Sequence, residues 1–354
     1  MNSIDYEILK LNPKEMSKEL QELYIDLMIK LEIEFDETEQ PEPREDWMKL
    51  IRNPNPKLDQ TFWTVFLKGN RKEAIGFASL SKYTKKSDSY ENNKEQAGIR
   101  ISILKDYQRK GIGSKLLALI IKEANSDKVI KKLQAITAME SGKQFCEKYK
   151  GELKHFSIAN RLVIADIDWN LMQDWVDKGL KLSKETGTII ETYDVIPNYI
   201  LEEYCNLYTL ILSQAPRGEL EGQTIITPQS YKDQLTRFKK MNVEYCTKIS
   251  REKSGEISGI IEIMFKRTNL QTIHQRFTGV KKEYRGKGIG KWLKADLMFH
   301  IRDNLPEVLF IDTGNANNNA PMLSINERMG FKLYRQVWWF YLNPDDLVYL
   351  LLEK

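Results

Sequence analysis

The sequence lacks most of the features that mark membrane, secreted and metal-dependent proteins. No stretch reaches the roughly 18 uninterrupted apolar residues of a membrane-spanning helix, and residues 1–30 have no signal-peptide core. The three cysteines (Cys146, Cys205 and Cys246) lie far apart, and no CxxC pair or Cys/His cluster indicates zinc. Free thiols in a reducing compartment are the simplest interpretation, so we expect a cytoplasmic protein without a metal.

The sequence also lacks a dominant charge. Its 54 lysines and arginines face 50 aspartates and glutamates, which leaves a formal net charge of +4. A nucleic-acid-binding protein favours a concentrated basic face, whereas the pairs Lys85-Lys86 and Lys281-Lys282 are short and typical of solvated loops. We therefore expect neither nucleic acid nor a membrane as a partner. The 354 residues, 41% of them hydrophobic, are enough for about two globular domains.

An internal repeat is the most informative feature that the sequence does contain. The segment YQRKGIG at 107–113 recurs as YRGKGIG at 284–290. The two copies are 177 residues apart, which is half of the chain length. That spacing indicates a duplicated domain, because solenoid repeats are only roughly 20–50 residues long.

Each copy of the repeat lies between a predicted strand and a predicted helix. β-branched residues at 98–104 and 271–280 indicate the strands, and apolar residues at helical spacing follow each copy. With the flanking segments, both halves follow the order α-α-β-β-β-turn-α-β-α-β-β. The predicted domains are 1–168 and 188–354, joined by a polar, partly helical linker at 169–187.

The glycine-rich turn suits a diphosphate. Glycine lets several backbone N–H groups converge on a ligand, and the following helix adds unpaired N–H groups and a positive dipole. Two other phosphate loops do not fit. The GxxxxGK[ST] pattern is absent, and Leu116 and Leu293 replace the third glycine of GxGxxG. For either copy taken alone, a plain strand-to-helix turn remains the alternative.

The pattern [QR]-x-x-G-x-G between a strand and a helix resembles the acyl-CoA pyrophosphate loop of the GNAT superfamily. It occurs as QRKGIG at 108–113 and as RGKGIG at 285–290. The segment 315–331 is similar to the last motif of that family, above all in tandem GNAT proteins of the mycothiol synthase-like group. The resemblance implies an α/β fold of two tandem GNAT domains, each a mixed, splayed sheet flanked by helices. In the second half, acyl-CoA would lie where the strands ending at Val280 and Thr313 part.

The resemblance also implies which residues contact acetyl-CoA or a similar acyl-CoA, the expected co-substrate. The backbone at 278–280 would hold the pantetheine and polarise the thioester carbonyl. Asn315 or Asn319 would lie beside the pantetheine at the start of a short helix, where a plain N-cap is the alternative. The implied contacts are Gln108, Arg109, Lys110, Gly111, Ile112, Gly113 and Ser114 in the first half, and Thr278, Gly279, Val280, Arg285, Gly286, Lys287, Gly288, Ile289, Gly290, Lys291, Asn315 and Asn319 in the second.

A general base is predicted in the second half only. His274, eleven residues before Arg285, has a position similar to that of the family's base on this strand, and histidine titrates near neutral pH. Ala97 stands at the corresponding position of the first half. An ordinary strand histidine is the alternative, and Glu262 and Asp312 are then the next carboxylates to test.

The general acid departs from the family pattern in both halves. The resemblance implies a tyrosine seven residues after the asparagine of the short helix, but that count from Asn319 reaches Asn326, and the first half has Cys146. Tyr334 could substitute, or it could be a packed aromatic residue. A thiol with a pKa of roughly 8.5 leaves without full protonation, so activity does not require this acid.

These features predict an acyltransferase that moves an acyl group from acyl-CoA to an amine of a small molecule. The C-terminal half is the expected catalytic half, and the N-terminal half is accessory. The acidic run at 32–46 would attract a cationic amine, with a solvated loop as the alternative. The alternative function is a non-catalytic acyl-CoA-binding protein with a structural or regulatory role. We expect a monomer or a homodimer.

Overall fold

The chain divides into two compact units, each with strands and helices in alternation. The computed structural model describes residues 5–12, 16–216, 218–316 and 319–352. The first unit contains Met1–Lys154, Glu221–Gln223 and Trp338–Lys354, and the second contains His155–Leu220 and Thr224–Val337.

The first unit is a mixed sheet with helices packed on it. Its strands and helices, in chain order, are β1 (Tyr6–Leu11), α1 (Lys18–Phe35), α2 (Arg44–Arg52), β2 (Leu58–Leu67), β3 (Asn70–Tyr83), α3 (Tyr90–Asn93), β4 (Gln96–Ile103), α4 (Ile112–Ser126), β5 (Lys132–Thr137) and α5 (Glu140–Lys148). Neighbouring strands are antiparallel from β1 to β4, whereas β4 and β5 are parallel.

The second unit repeats this arrangement. It takes most of strand β6 (Glu152–Val163), followed by α6 (Trp169–Thr186), β7 (Ile189–Tyr193), α7 (Asn198–Gln214), α8 (Pro228–Lys240), β8 (Val243–Arg251), β9 (Ile257–Lys266), β10 (Asn269–Val280), α9 (Ile289–Asn304), β11 (Phe310–Ala316), α10 (Ala320–Met329) and the first part of β12 (Lys332–Leu342). The strand order is β7-β8-β9-β10-β11-β6, with a parallel pair only at β10 and β11 among these neighbours.

The helix after each glycine turn forms because one of its faces is apolar. Leu116 and Ile120 of α4, and Leu293, Leu297 and Ile301 of α9, are fully or almost fully buried. Their spacing of four residues places them on one side of each helix. These faces lie in the main hydrophobic core of their own unit. Each such side chain stabilises the fold by roughly 1.5–3 kcal/mol.

The two parallel strands of each unit part after four paired residues. In the second unit, β10 and β11 pair from Thr272 opposite Phe310 to Gln275 opposite Thr313. Beyond that point β10 pairs with β9 alone and β11 with β6 alone, among the described residues. In the first unit, β4 and β5 part in the same way after Ile99. The predicted splayed sheet is therefore present in both units. Thr313 is the last paired residue of β11 rather than its end.

The limits of the units differ from the predicted domains 1–168 and 188–354. Residues 157–163 of β6 pair with β11, so this part of the chain lies in the second unit. Residues 338–342 of β12 pair with β5, which places the end of the chain in the first unit. A strand pattern indicates a strand but does not name its partner, which is why the sequence placed both boundaries elsewhere.

The segment predicted as a linker, 169–187, is helix α6 of the second unit. The Asp168 carboxylate caps it, accepting hydrogen bonds from the N–H groups of Asn170 and Leu171 at 3.0 and 3.1 Å. Met172 and Trp175 are buried in the core of that unit. The segment is helical from Trp169 to Thr186 and is a packed element of the second unit.

The predicted order of elements also differs at both ends of each repeat. Strands β1 and β7 stand before the first helix of each repeat, where no strand was predicted. After each short helix the described residues contain one closing strand, β6 or β12, in place of two.

Candidate active site

The two glycine turns share one backbone conformation. Gly111 and Gly288 have φ of +82° and +89°, and the residues two positions earlier, Arg109 and Gly286, have φ of +60° and +79°. Left-handed backbone suits glycine and costs an L-residue such as Arg109 about 1–2 kcal/mol. A Cβ on any of the three glycines would meet no atom within 4 Å, so the space above each turn is open.

The turns direct the N-termini of α4 and α9 towards that open space. Neither helix start has a side-chain cap, so the first backbone N–H groups are free to bind a ligand. The side chains of Ile112 and Ile289 are buried, which leaves only their backbone for contact with a phosphate. Such an arrangement of N–H groups and helix dipole is suited to an anion.

The first side chain of each motif holds the turn in place. Gln108 Nε2 donates to the carbonyl oxygen of Ile103 at 2.9 Å, and Arg285 Nε donates to that of Val280 at the same distance. Both acceptors are the last residues of the strand before the turn. Arg285 also donates to Gln214 Oε1 at 2.5 Å. These two predicted contacts thus have a structural role, whatever they add to ligand binding.

The other predicted side chains around the turns are partly engaged by the protein. The Lys110 and Lys287 ammonium groups lie over the rings of Tyr107 and Tyr284, at 5.4 and 5.0 Å from the ring centres. Ser114 Oγ accepts a hydrogen bond at 2.6 Å from the hydroxyl of Tyr149, the residue that directly follows α5. The glycines Gly113 and Gly290 continue the first helical turn.

A buried polar network lies where β10 and β11 part. Gln275 Nε2 donates to Thr278 Oγ1 at 3.2 Å and to Thr313 Oγ1 at 3.4 Å. Gln275 Oε1 accepts from Lys294 Nζ at 3.1 Å, and Lys294 donates also to Asn326 Oδ1 at 2.9 Å. Lys294 has no exposed surface, and burial lowers the pKa of its ammonium to about 7. The sequence did not point to Lys294, because a lone lysine in an apolar helix face carries no motif.

Two asparagines near this network have an unsatisfied donor. The Nδ2 atoms of Asn315 and Asn326 are buried and have no hydrogen-bond partner. Leaving such a donor unpaired costs about 1–3 kcal/mol, which an acceptor on a ligand would relieve. Asn315 lies within β11, not at the start of the short helix as predicted. Asn319 is at the N-cap position of α10, but its side chain makes no cap hydrogen bond.

A tyrosine-lined cleft lies on the opposite face of β10. Glu262 of β9 lines this cleft and is only 2% exposed. The Tyr204 hydroxyl donates to Glu262 Oε2 at 2.8 Å, and Arg276 Nη1 donates to Oε1 at 2.9 Å. Burial raises the pKa of the Glu262 carboxyl, and Arg276 opposes this rise. The residues lining the cleft are Tyr204, Tyr208, Ile226, Tyr231, Gln234, Leu235, Tyr245, Glu262 and Arg276.

His274 lies on the same face of the sheet as this cleft but is not among its lining residues. It stands opposite Met264 of β9, two residues along from Glu262, and paired or alternate residues share a face. Its side chain is exposed. Asp312 is the neighbour of His274 on β11, and its two carboxylate oxygens accept hydrogen bonds from Arg161 Nε and Nη2, each at 2.7 Å.

The three predicted catalytic residues do not meet at one point. The Arg161 guanidinium lies over the ring of Tyr334, 3.6 Å from the ring centre. The same guanidinium binds Asp312, the β11 neighbour of His274. Asn326 belongs to the Lys294 network instead. The cleft was not predicted because its side chains come from five successive elements, α7 to β10, and from the segment before α8, and no local pattern shows that they meet.

The corresponding positions of the first unit are apolar or small. Ala97, Gly98 and Leu117 stand 177 residues before His274, Gln275 and Lys294, and Cys146 has the helix position of Asn326. Burial raises the pKa of Cys146 to about 12, so this thiol does not ionise near neutral pH. The first unit therefore keeps the turn and the splay without the polar network.

Two carboxylates of the acidic run at 32–46 bind the protein itself. Glu32 Oε2 accepts from the Glu42 N–H at 3.0 Å, and Glu34 accepts from the Lys105 N–H at 3.0 and 3.2 Å. These two carboxylates therefore have hydrogen-bond partners within the first unit, which a fully solvated loop would not provide.

The described residues contain no group of three or more His, Cys, Asp or Glu side chains suited to a metal ion. None of the helices in the described ranges is long and apolar enough to cross a membrane. All three cysteines are buried free thiols.

Comparison with known proteins identifies the family. The sequence model of the acetyltransferase (GNAT) family matches residues 19–149 and 207–331, whereas no curated protein matches the chain. A tandem GNAT protein from the clavulanic acid biosynthesis pathway, solved without AcCoA, has a TM-score of 0.73 at 18% identity over 96% of this chain and 99% of its own.

Two further solved structures are similar in fold. A GCN5-related N-acetyltransferase from Sphaerobacter thermophilus has a TM-score of 0.61 at 12% identity, over 96% of both chains. Saccharomyces cerevisiae N-myristoyltransferase with bound myristoyl-CoA has a TM-score of 0.56 at 10% identity, over 97% of this chain and 79% of its own. At these identities the likeness shows the fold alone. The two family matches, each containing one glycine turn, show that the chain belongs to the acetyltransferase (GNAT) family and carries two GNAT domains in tandem.

Proposed function

We propose that the second unit transfers an acyl group from acyl-CoA, with acetyl-CoA as the simplest donor, to the amine nitrogen of a small molecule. The observation that carries this proposal is the position of β10. One of its faces carries the polar network beside the splay, and the other bears the cleft with the buried Glu262 carboxylate. A donor in the splay and an acceptor in the cleft would therefore meet at one strand.

The residues present fit an acyl-CoA. The uncapped N–H groups at the start of α9 suit a pyrophosphate, and among the described residues β11 does not pair with the backbone at 278–280. The unpaired Nδ2 atom of Asn315 suits a pantetheine carbonyl. Lys287, Lys291 and Asn319 are the proposed polar side chains around this path.

The cleft supports an amine as the acceptor. Four tyrosine rings and a carboxylate suit an ammonium group, which is attracted to aromatic faces and to negative charge. An amine must lose a proton before or during attack, and a carboxylate with a raised pKa is a more effective base near neutral pH. We propose Glu262 as this base because it lines the cleft. The sequence-predicted His274, on the same face, is the alternative.

For the first unit we propose an accessory role, as a second acyl-CoA site or as a structural domain. Its turn and splay are those of the second unit, but Ala97 and Leu117 offer no proton-transfer group. One observation favours a non-catalytic function for the whole chain: Asn326, which does not titrate, stands where the resemblance implies a tyrosine acid.

The test is a panel of small amines offered with acetyl-CoA, with release of the CoA thiol as the signal. We expect release with at least one amine, and a loss of roughly 10² to 10⁴ in rate in Glu262→Gln, the usual magnitude of general-base catalysis. Binding of CoA by calorimetry should be unchanged in this variant. Thiol release by no amine, together with tight CoA binding, would instead establish the non-catalytic function.

A further inference from the structure

Lys294 is a charged side chain without exposed surface, and the function proposed above does not use it. Its ammonium donates to two amide oxygens, Gln275 Oε1 and Asn326 Oδ1. No carboxylate of the described residues forms an ion pair with it. A buried charge without a counter-charge is costly, and an apolar residue of similar volume is often more stable. The first unit has Leu117 at the same helix position, fully buried.

Lys294 joins the three elements that surround the point where β10 and β11 part. It lies on α9, five residues after the start of the helix that follows the glycine turn. Gln275 is the last residue of β10 that pairs with β11, and Asn326 lies on α10. The side chains of the described residues that surround the ammonium are these two amides and the ring of Phe331, whose centre is 5.5 Å away. None of the three titrates.

The lysine fixes the orientation of the Asn326 amide. Because Lys294 holds the oxygen Oδ1, the nitrogen Nδ2 of the same planar group is turned away from the ammonium. That nitrogen is buried and has no hydrogen-bond partner. Asn326 is 2% exposed, so water does not readily satisfy this donor. A buried positive charge and an unpaired N–H donor in one network are complementary to a negative charge that develops on a bound ligand.

We propose that Lys294 and Asn326 stabilise the CoA thiolate that leaves in acyl transfer. The proposal rests on the proposed function to the extent that acyl-CoA lies in the splay of the second unit. As the amine nitrogen bonds to the thioester carbon, the carbon–sulfur bond breaks and its electron pair stays on sulfur. The Asn326 N–H donates to that sulfur. The amine proton passes to the base in the cleft, and the thiolate takes a proton from water after release.

Asn326 is the group that contacts sulfur in this scheme, and Lys294 is a positioning residue that also supplies charge. Burial lowers the lysine pKa to about 7, so the ammonium form is marginal in the free protein at neutral pH. A thiolate nearby favours the ammonium form, since an opposite charge favours ionisation of its neighbour. The positive charge is thus strengthened when the negative charge appears.

The test compares binding of free CoA with that of desulfo-CoA, by calorimetry at several pH values, and needs no turnover. The titrations use the Gly111→Glu background, which removes any contribution from the first turn. A site that stabilises thiolate lowers the thiol pKa below its ordinary roughly 8.5. Because the Lys294 ammonium has a pKa of about 7 in the free protein, the affinity of CoA relative to desulfo-CoA should rise with pH up to about 7, stay level to roughly pH 8.5 and fall above that value.

The variant Lys294→Met should abolish this pH-dependent advantage of CoA while desulfo-CoA binds within about twofold of its original affinity. Asn326→Asp replaces the N–H donor by a carboxylate, and we expect CoA to bind more weakly than desulfo-CoA at high pH. Leu117→Met is the matched control, a nearly volume-conserving change at the same helix position of the first unit. It should leave both affinities unchanged. Thermal unfolding verifies that each variant is folded.

The outcomes separate this proposal from the function on which it rests. Equal binding of CoA and desulfo-CoA at every pH would overturn the thiolate role and leave acyl-CoA binding intact. Retention of the full CoA advantage in both Lys294→Met and Asn326→Asp would do the same. Failure of both ligands to bind the parent protein would overturn the acyl-CoA site itself, and the thiolate role with it.

Discussion

The two units have the same backbone where acyl-CoA would bind and different side chains where chemistry would occur. The glycine turns have matching φ values, and the parallel strands part after four paired residues in each. The side chains differ, however: the second unit has Gln275 and Lys294 where the first unit has Gly98 and Leu117. Holding a diphosphate requires mainly N–H groups and a helix dipole, which any sequence with glycines at the turn can provide. Moving a proton requires particular side chains, and among the described residues the second unit has a buried polar network that the first unit lacks.

The largest expected effect tests this comparison directly through the two turns. Gly288→Glu should abolish acyl-CoA binding by the second unit and with it turnover, because the side chain fills the open space above the turn and repels phosphate. The φ of +89° adds strain of about 1–2 kcal/mol. Calorimetric stoichiometry and thiol release measure the two effects.

Gly111→Glu is the matched change in the first unit. It should lower the binding stoichiometry if that unit holds acyl-CoA, and should leave most of the turnover intact. Complete loss of turnover in a Gly111→Glu protein with a normal melting temperature would contradict the division of roles between the units. Unchanged stoichiometry and affinity in a folded Gly288→Glu protein would contradict the assignment of the second turn.

The second expected effect concerns the proton that leaves the amine. If Glu262 is the base, kcat/KM should rise with pH through a pKa above the ordinary value of roughly 4.3, because burial raises that pKa and the carboxylate form is the active one. Glu262→Gln should lower the rate by roughly 10² to 10⁴ and remove this rise. Rates with an acceptor of low pKa are required, since deprotonation of the amine itself produces a similar rise.

His274→Ala is the comparison for that experiment. CoA affinity should barely change in either variant, because both side chains lie on the cleft face of the sheet. If His274→Ala loses the roughly 10² to 10⁴ and Glu262→Gln does not, the sequence-predicted histidine is the base. If neither variant loses rate, the proton leaves through water.

The sequence predicted the features that depend on local pattern. The glycine turns, the strand before each and the amphipathic helix after each follow from residue types within short windows, and the structure confirms them. The membership of 155–168 in the second unit did not follow, because strand pairing joins residues that are far apart in the chain. The Lys294 network was missed for a related reason: Gln275, Lys294 and Asn326 come from three elements, and each alone is unremarkable.

The third expected effect is on stability and concerns the buried lysine. On folding, the Lys294 ammonium must either lose its proton or lose its hydration, and both cost free energy. Lys294→Met removes this cost, so we expect the free energy of unfolding at pH 7 to be unchanged or higher by about 1–4 kcal/mol. Leu117→Lys, the reverse change in the first unit, should be strongly destabilising because that position offers no amide acceptor from Gly98. Urea unfolding of both variants measures the contrast. Equal destabilisation by both changes would show that the Lys294 network is structural.

The pH dependence of this effect has a definite sign. The folded pKa of Lys294, about 7, is below the ordinary 10.5, so between these values the unfolded chain binds a proton that the folded protein does not. Stability of the parent protein should therefore rise with pH in this window relative to Lys294→Met, with a slope of at most about 1.4 kcal/mol per pH unit. A difference between the two proteins that does not change from pH 7 to pH 10 would contradict the lowered pKa.

The smallest expected effect concerns the residue type at the first left-handed position of each turn, which is arginine in one and glycine in the other. Arg109 has a φ of +60° and an exposed side chain, whereas the corresponding residue of the second turn, Gly286, has a φ of +79°. Arg109→Gly relieves about 1–2 kcal/mol of left-handed strain and loses roughly 0.5–1 kcal/mol through the greater freedom of glycine in the unfolded chain. We expect a net gain of about 0.5–1 kcal/mol in the free energy of unfolding.

The reciprocal variant Gly286→Ala should lose a similar amount without a steric clash, since its Cβ would meet no atom within 4 Å. If Arg109→Gly is instead destabilising, the arginine side chain makes a compensating contribution, and loss of acyl-CoA binding by the first unit in that variant would identify the contribution as contact with the ligand.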